Sequence, residues 1–179
     1  MSDEFYLHED EWGMIELLPR ENYAERQKMV DAAAAHAEAH RAPGGAGWTA
    51  MYVAPEAKTP ISERGITLTA LAEALGPGWK RSARVTSGYS TYVEEATASY
   101  AFRPPQRHHN WNVIYGNVQG ELVTSLCVTH CEPPIMPELH RLGTTFRLML
   151  CDLWTDVVID LADPVALARY VSPDDSDDE

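Results

Sequence analysis

The chain has 179 residues, 45% of them hydrophobic, and a formal net charge of -13 from 27 acidic against 14 basic side chains. That composition supports a buried core and excludes disorder throughout, and no apolar run approaches the roughly 18 residues of a membrane-spanning helix. The negative field repels nucleic acid and anionic lipid, and it favours encounter with basic partners.

The start, MSDEFYLHED, carries acids where a secretory leader has a basic and then an apolar region, which predicts a cytoplasmic protein. Residues 12–18, WGMIELL, are β-forming and end at Pro19, so they read as a strand. A long helix is expected from about Asn22 to Arg41, with high propensity from Ala32 to Ala35 and the breakers PGG at 43–45. GWTAMYVAP at 47–55 reads as a short strand between Gly and Pro. The clearest local signal follows. Thr67 caps a helix whose Leu68, Leu71, Ala72 and Leu75 form one stripe, and Gly76 with Pro77 ends it.

Residues 79–103 are dense in Val, Thr and Tyr and should give one or two strands before Pro104-Pro105. HNWNVIYGNVQGELVTSLCVTH then predicts a β-hairpin with GNVQG as its turn. From Glu138 the period becomes helical, with Leu139, Leu142, Phe146, Met149, Leu150, Leu153 and Val157 on one broad face. Asp163 and Pro164 are the cap and first residue of a last short helix. Together these predict a single α+β domain over residues 1–171, with a mainly antiparallel sheet of 5–6 strands against 3–4 helices. The tail at 172–179, with five acids in DDSDDE, should be disordered.

Three cysteines in apolar surroundings read as free thiols of a reducing compartment. Cys127, His130 and Cys131 in CVTHC resemble a metal set in composition alone. On a strand, positions four apart lie about 13 Å from each other, and His130 points to the opposite face. Such groups cannot converge on a metal whose ligands sit about 2.0–2.3 Å away, so neither a metal nor another cofactor is expected. His36 and His40 share a helix face but lack the HExxH order, and as cations they suit the negative end of a helix. PGGAG at 43–47 lacks the P-loop Lys-Ser/Thr, and GYS at 88–90 is no nucleophile elbow.

Two stretches remain as candidate contact surfaces. Glu9, Asp10 and Glu11 before Trp12 are too crowded and too alternating in direction to form one catalytic centre, and they read as a solvated edge or a binding rim leading into the buried strand. Arg107, His108, His109 and Trp111 in QRHHNWN combine donors with an aromatic anchor in a proline-broken loop. Arg outnumbers Lys 11 to 3 and alanine is frequent, the usage of a GC-rich bacterial genome. The leading expectation is a non-enzymatic, acidic protein-binding module, of the immunity or inhibitor kind, acting on a basic bacterial toxin or effector. The alternative is a small enzyme or ligand-binding domain using Arg107, His108, His109 and Tyr115. A homodimer through an aromatic sheet face is a third reading.

Overall fold

The structure, a computed structural model, describes residues 3–45, 47–89, 92–105 and 112–172. Its spine is strand β2 (Ile15–Pro19), flanked on either side by antiparallel β10 (Leu148–Asp152) and β9 (Cys127–Val128). Outward from β10 comes β11 (Val157–Asp160). Outward from β9 come β7 (Ile114–Gln119), β6 (Ser99–Arg103) and β3 (Lys80–Arg81), while β8 (Leu122–Val123) folds back on β7. The result is an eight-stranded antiparallel sheet. A three-stranded sheet stands apart from it, formed by β1 (Glu4–His8), β4 (Arg84–Tyr89) and β5 (Tyr92–Glu95), with β1 parallel to β4.

Both faces of the large sheet are covered, because successive side chains on a strand point opposite ways. Leu17, Phe102, Ile114 and Leu150 face helices α2 (Leu68–Leu75), α3 (Met136–Phe146) and α4 (Pro164–Val171), which contribute Leu71, Leu139, Leu142 and Leu167. On the other face, helix α1 (Tyr23–Ala39) packs Met29 and Val30 against Leu18, Met149 and Cys151. Beside α1, the small sheet packs Leu7 and Val85 against Ala101, Tyr115 and Cys127. The α+β class and the predominance of antiparallel pairing are as expected. The eleven strands among the described residues exceed the expected 5–6.

Local signals act where the chain obeys them. Thr67 Oγ1 accepts from the Ala70 amide at 3.1 Å, and Gly76 ends α2 at φ +88°. Asp163 Oδ1 accepts from the amides of Val165 and Ala166 at 2.9 and 3.2 Å, with Pro164 at the first helical position. The described part of α4 ends at Val171, and the acidic tail beyond Ser172 lies outside the described residues.

Three expected elements differ. Residues 51–57 form no strand: the β-forming segment finds no partner sheet, and Trp48 makes only an isolated bridge to Arg41. The expected helix from Glu138 through Val157 stops at Phe146, where Arg147 turns left-handed at φ +56°, and β10 and β11 follow as a hairpin. The turn after β7 is Gly120-Glu121, so Gly116 to Gln119 of the expected turn belong to the strand instead. Among the described residues no helix is long and apolar enough to cross a membrane.

Candidate functional site

Four separate segments border a cavity of about 550 Å³ at the end of β10. Glu11 comes from the 3-10 turn after β1, Thr129 to Glu132 from the exit of β9, Asp152 with Trp154 and Thr155 from the β10–β11 turn, and Tyr170 from α4. Asp152 organises this convergence. It is only 3% exposed, and its register opposite Ile15 fixes it at the strand end. Oδ1 accepts from the Trp154 amide at 2.7 Å and the Thr155 amide at 3.3 Å. Oδ2 accepts from the Thr155 hydroxyl and the Tyr170 hydroxyl, both at 2.7 Å. A buried carboxylate so surrounded by donors has its acceptor capacity met within the chain.

The second anchor is Asn112, wholly buried, whose Oδ1 accepts from the Glu132 amide at 3.0 Å and whose amide nitrogen donates to Glu132 Oε2 at 3.4 Å. Trp154, 60% exposed, leaves an indole at the cavity mouth. Three carboxylates therefore line the cavity (Glu11, Glu132 and Asp152), while no described Lys or Arg does. Cations are attracted by that combination of negative charge and aromatic walls.

Nucleophilic chemistry fits the same residues poorly. Burial, opposed by a hydrogen bond with Tyr170 and reinforced by neighbouring Asp152, pushes the Cys131 thiol up to about 12. A thiolate is the reactive form, so near neutral pH this sulfur is inert. Burial also raises the Tyr170 hydroxyl, with Cys131 and Asp152 adding to the effect. It serves as a donor and not as a base.

The acidic rim lies where Glu11 enters the cavity. Glu9, Asp10 and Glu11 form the 3-10 turn, closed by His8: its Nδ1 accepts from the Asp10 amide at 3.3 Å, and its own amide donates to Glu11 Oε2 at 3.4 Å. Trp12 is turned toward the core, donating from Nε1 to Ser87 Oγ at 2.7 Å and meeting the Tyr115 ring edge-on at 5.3 Å. Tyr115 itself is buried, accepting from the Gly13 amide and donating to the Glu11 carbonyl at 2.7 Å, which makes it a brace of the rim. Arg107, His108, His109 and Trp111 lie outside the described residues.

The CVTHC residues part company. Cys127 packs with Tyr115 between the two sheets, whereas Cys131 packs toward the helical face and His130 lines the cavity beside it. His36 and His40 stack at 4.0 Å between ring centroids, and His40 Nδ1 lies 2.9 Å from the His36 carbonyl oxygen. Among the described residues no three His, Cys, Asp or Glu side chains are arranged to hold a metal. Sequence reasoning reached Glu11 but missed Asp152, Trp154, Tyr170 and Glu132. The visible signal for them was the turn composition of DLWTD, which the helical period of its surroundings masked. No family model, curated protein or solved structure matches the chain.

Proposed function

We propose that this protein is a non-enzymatic binding module for a basic protein, of the inhibitor or immunity kind, with the cavity and its acidic rim as the contact surface. One observation carries the reading: Glu11, Glu132 and Asp152 line one cavity together with an indole and a phenol, and no described Lys or Arg lines it beside them. Asp152 is taken up by its own donors and shapes the site, which leaves the rim carboxylates Glu11 and Glu132 to meet lysine or arginine side chains of a partner. The net charge of -13 extends the same field and speeds encounter with a cationic surface such as the active cleft of a basic toxin.

Exposed tyrosines broaden the surface beyond the cavity. Exposed Tyr89 and Tyr92 form the last pair of the β4–β5 ladder, whose β5 strand carries Glu94 and Glu95. Tyrosine and tryptophan supply contact area at low entropic cost, and carboxylates around them supply specificity. The rival reading, a small enzyme or ligand-binding domain, is favoured by cavity volume alone. The protonated Cys131 and the donor-saturated Asp152 count against a nucleophile or base at this position.

The test is affinity capture from native lysate at low and high salt, using wild type and the Glu11→Lys/Glu132→Lys double variant. The reading expects a basic protein that wild type retains at low salt and releases as salt rises, and that the double variant fails to retain. Equal retention by both forms, or no retained protein at low salt, would overturn it.

A further inference from the structure

The Glu16–Arg26 pair, in a second cavity, has no role in the reading above. This space of about 380 Å³ lies beside α1, on the face of the large sheet away from the other helices, and residues 54–57 close one side of it. Glu16 of β2 and Arg26 of α1 line it together with Leu18, Ile61, Leu126 and Leu153, and a second carboxylate, the exposed Glu56, stands on the 54–57 side. Its size falls at the small end of ligand cavities, which run from about 300 to 1,000 Å³.

The two charges are badly served by the protein. The Arg26 side chain is 7% exposed, and its Nη2 lies 3.6 Å from Glu16 Oε2, too far for a hydrogen bond. Nη1 donates to the Pro55 carbonyl at 2.9 Å and contacts the Met29 sulfur at 3.1 Å, while Nε is buried with no hydrogen-bond partner among the described residues. Burial raises the Glu16 carboxyl despite the opposing pull of Arg26. Burying a guanidinium with an unmet donor is costly, and natural proteins keep such an arrangement rarely without a use.

Charge then selects the occupant. A simple anion would satisfy Arg26 but meet Glu16 at close range, and a simple cation would satisfy Glu16 but meet Arg26. A small zwitterion lying antiparallel to the pair satisfies both, with its carboxylate over the guanidinium and its ammonium over the carboxylate. The rest of the lining is mainly apolar, which suits an aliphatic remainder. We propose that the cavity between Glu16, Arg26 and residues 54–57 binds a free α-amino acid with an apolar side chain.

The site is separate from the acidic rim, so its ligand and the basic partner can be tested independently. Calorimetric titration of the wild-type protein with leucine should give saturable heat and a rise in melting temperature. 4-Methylpentanoate, which lacks the ammonium, and 3-methylbutylamine, which lacks the carboxylate, should each bind at least about tenfold more weakly. Glu16→Gln keeps the side-chain shape and should weaken leucine by a similar factor while leaving methylpentanoate unaffected or tighter. Leucine perturbing backbone resonances of residues 16, 26 and 54–57 would confirm the location. No saturable binding of leucine, isoleucine, valine or methionine up to the order of 10 mM would overturn the proposal. So would single-charge analogues that bind as well as leucine, or resonance changes confined to other residues.

Discussion

Tyr170 on the last helix donates its phenolic hydrogen to Asp152 Oδ2 at 2.7 Å, joining α4 to the end of β10 across the candidate cavity. The same oxygen accepts from the Thr155 hydroxyl, while Oδ1 accepts the two amides of the β10–β11 turn. One buried side chain therefore positions the turn, the helix and the indole of Trp154. Removing it does more than delete a charge from the cavity. It leaves four donors without their acceptor.

Asp152→Ala should lower the unfolding free energy by about 3 kcal/mol, and Tyr170→Phe by about 1.5 kcal/mol, because hydrogen bonds to a charged group are worth about 1.5–3 kcal/mol each and do not add. Urea unfolding followed by tryptophan fluorescence measures both. A loss below half a kcal/mol for Asp152→Ala would mean that solvent replaces the carboxylate and that the network does not organise the turn.

A tight backbone approach sets the second prediction. A Cβ on Gly143 of α3 would lie 2.3 Å from Leu161 Cβ and 2.6 Å from the Leu161 carbonyl carbon. Neither neighbour is the far end of a flexible side chain, so the helix itself has to shift. Gly143→Ala raises helix propensity yet should destabilise by about 2 kcal/mol, the cost of overpacking. A stability equal to or above wild type in the same assay would show that α3 can slide away from Leu161 freely.

What the sequence could convey depended on how each element is covered. α2 has one buried stripe, a Thr67 cap and a Gly76 stop, so its period and its ends were all legible. β10 is buried on both faces, so Leu148 to Cys151 form an unbroken apolar run with no period of two, and they continue the helical pattern of α3. The usual stop signal is absent there, because the left-handed residue after α3 is Arg147 and not glycine. Residues 47–55 fail for the opposite reason: their composition suits a strand, but composition does not provide a partner edge. Of the candidate site, the acids of the 3-10 turn stood out in the sequence. Asp152 and Tyr170 did not, since only the folded hairpin and the last helix bring residues eighteen positions apart within 2.7 Å.

The thiols give a chemical prediction. Burial pushes Cys127 and Cys131 up to about 12 and Cys151 up to about 11. At about pH 7.5 native protein should release almost no thiolate-dependent signal with an aromatic disulfide reagent, whereas urea-unfolded protein should react fully at all three positions. Although Cys151 ionises at the lower pH, Cys131 should be the first to react in the native state, because it borders the cavity while Cys127 and Cys151 are buried. Rapid modification of any one cysteine in the native state at neutral pH would show a thiolate stabilised by its surroundings, and peptide mapping would identify it.

Glu16 should make stability respond to pH in the unusual direction. Its folded carboxyl is raised above the ordinary value of 4.5, chiefly by burial and against the attraction of Arg26. A raised folded pKa contributes stability that is fully present below the unfolded pKa and is lost as pH climbs through the folded one. Glu16→Gln stays neutral at every pH, so it imitates the protonated wild type and leaves Arg26 in the same company. The variant and wild type should therefore keep a constant stability difference well below the ordinary carboxyl value of 4.5, with the variant gaining relative to wild type as pH rises above it. Paired urea titrations across that range read the difference directly and cancel the contributions of other carboxylates. A variant that instead loses ground as pH rises would mean that the attraction between Glu16 and Arg26 exceeds the cost of burying the carboxylate.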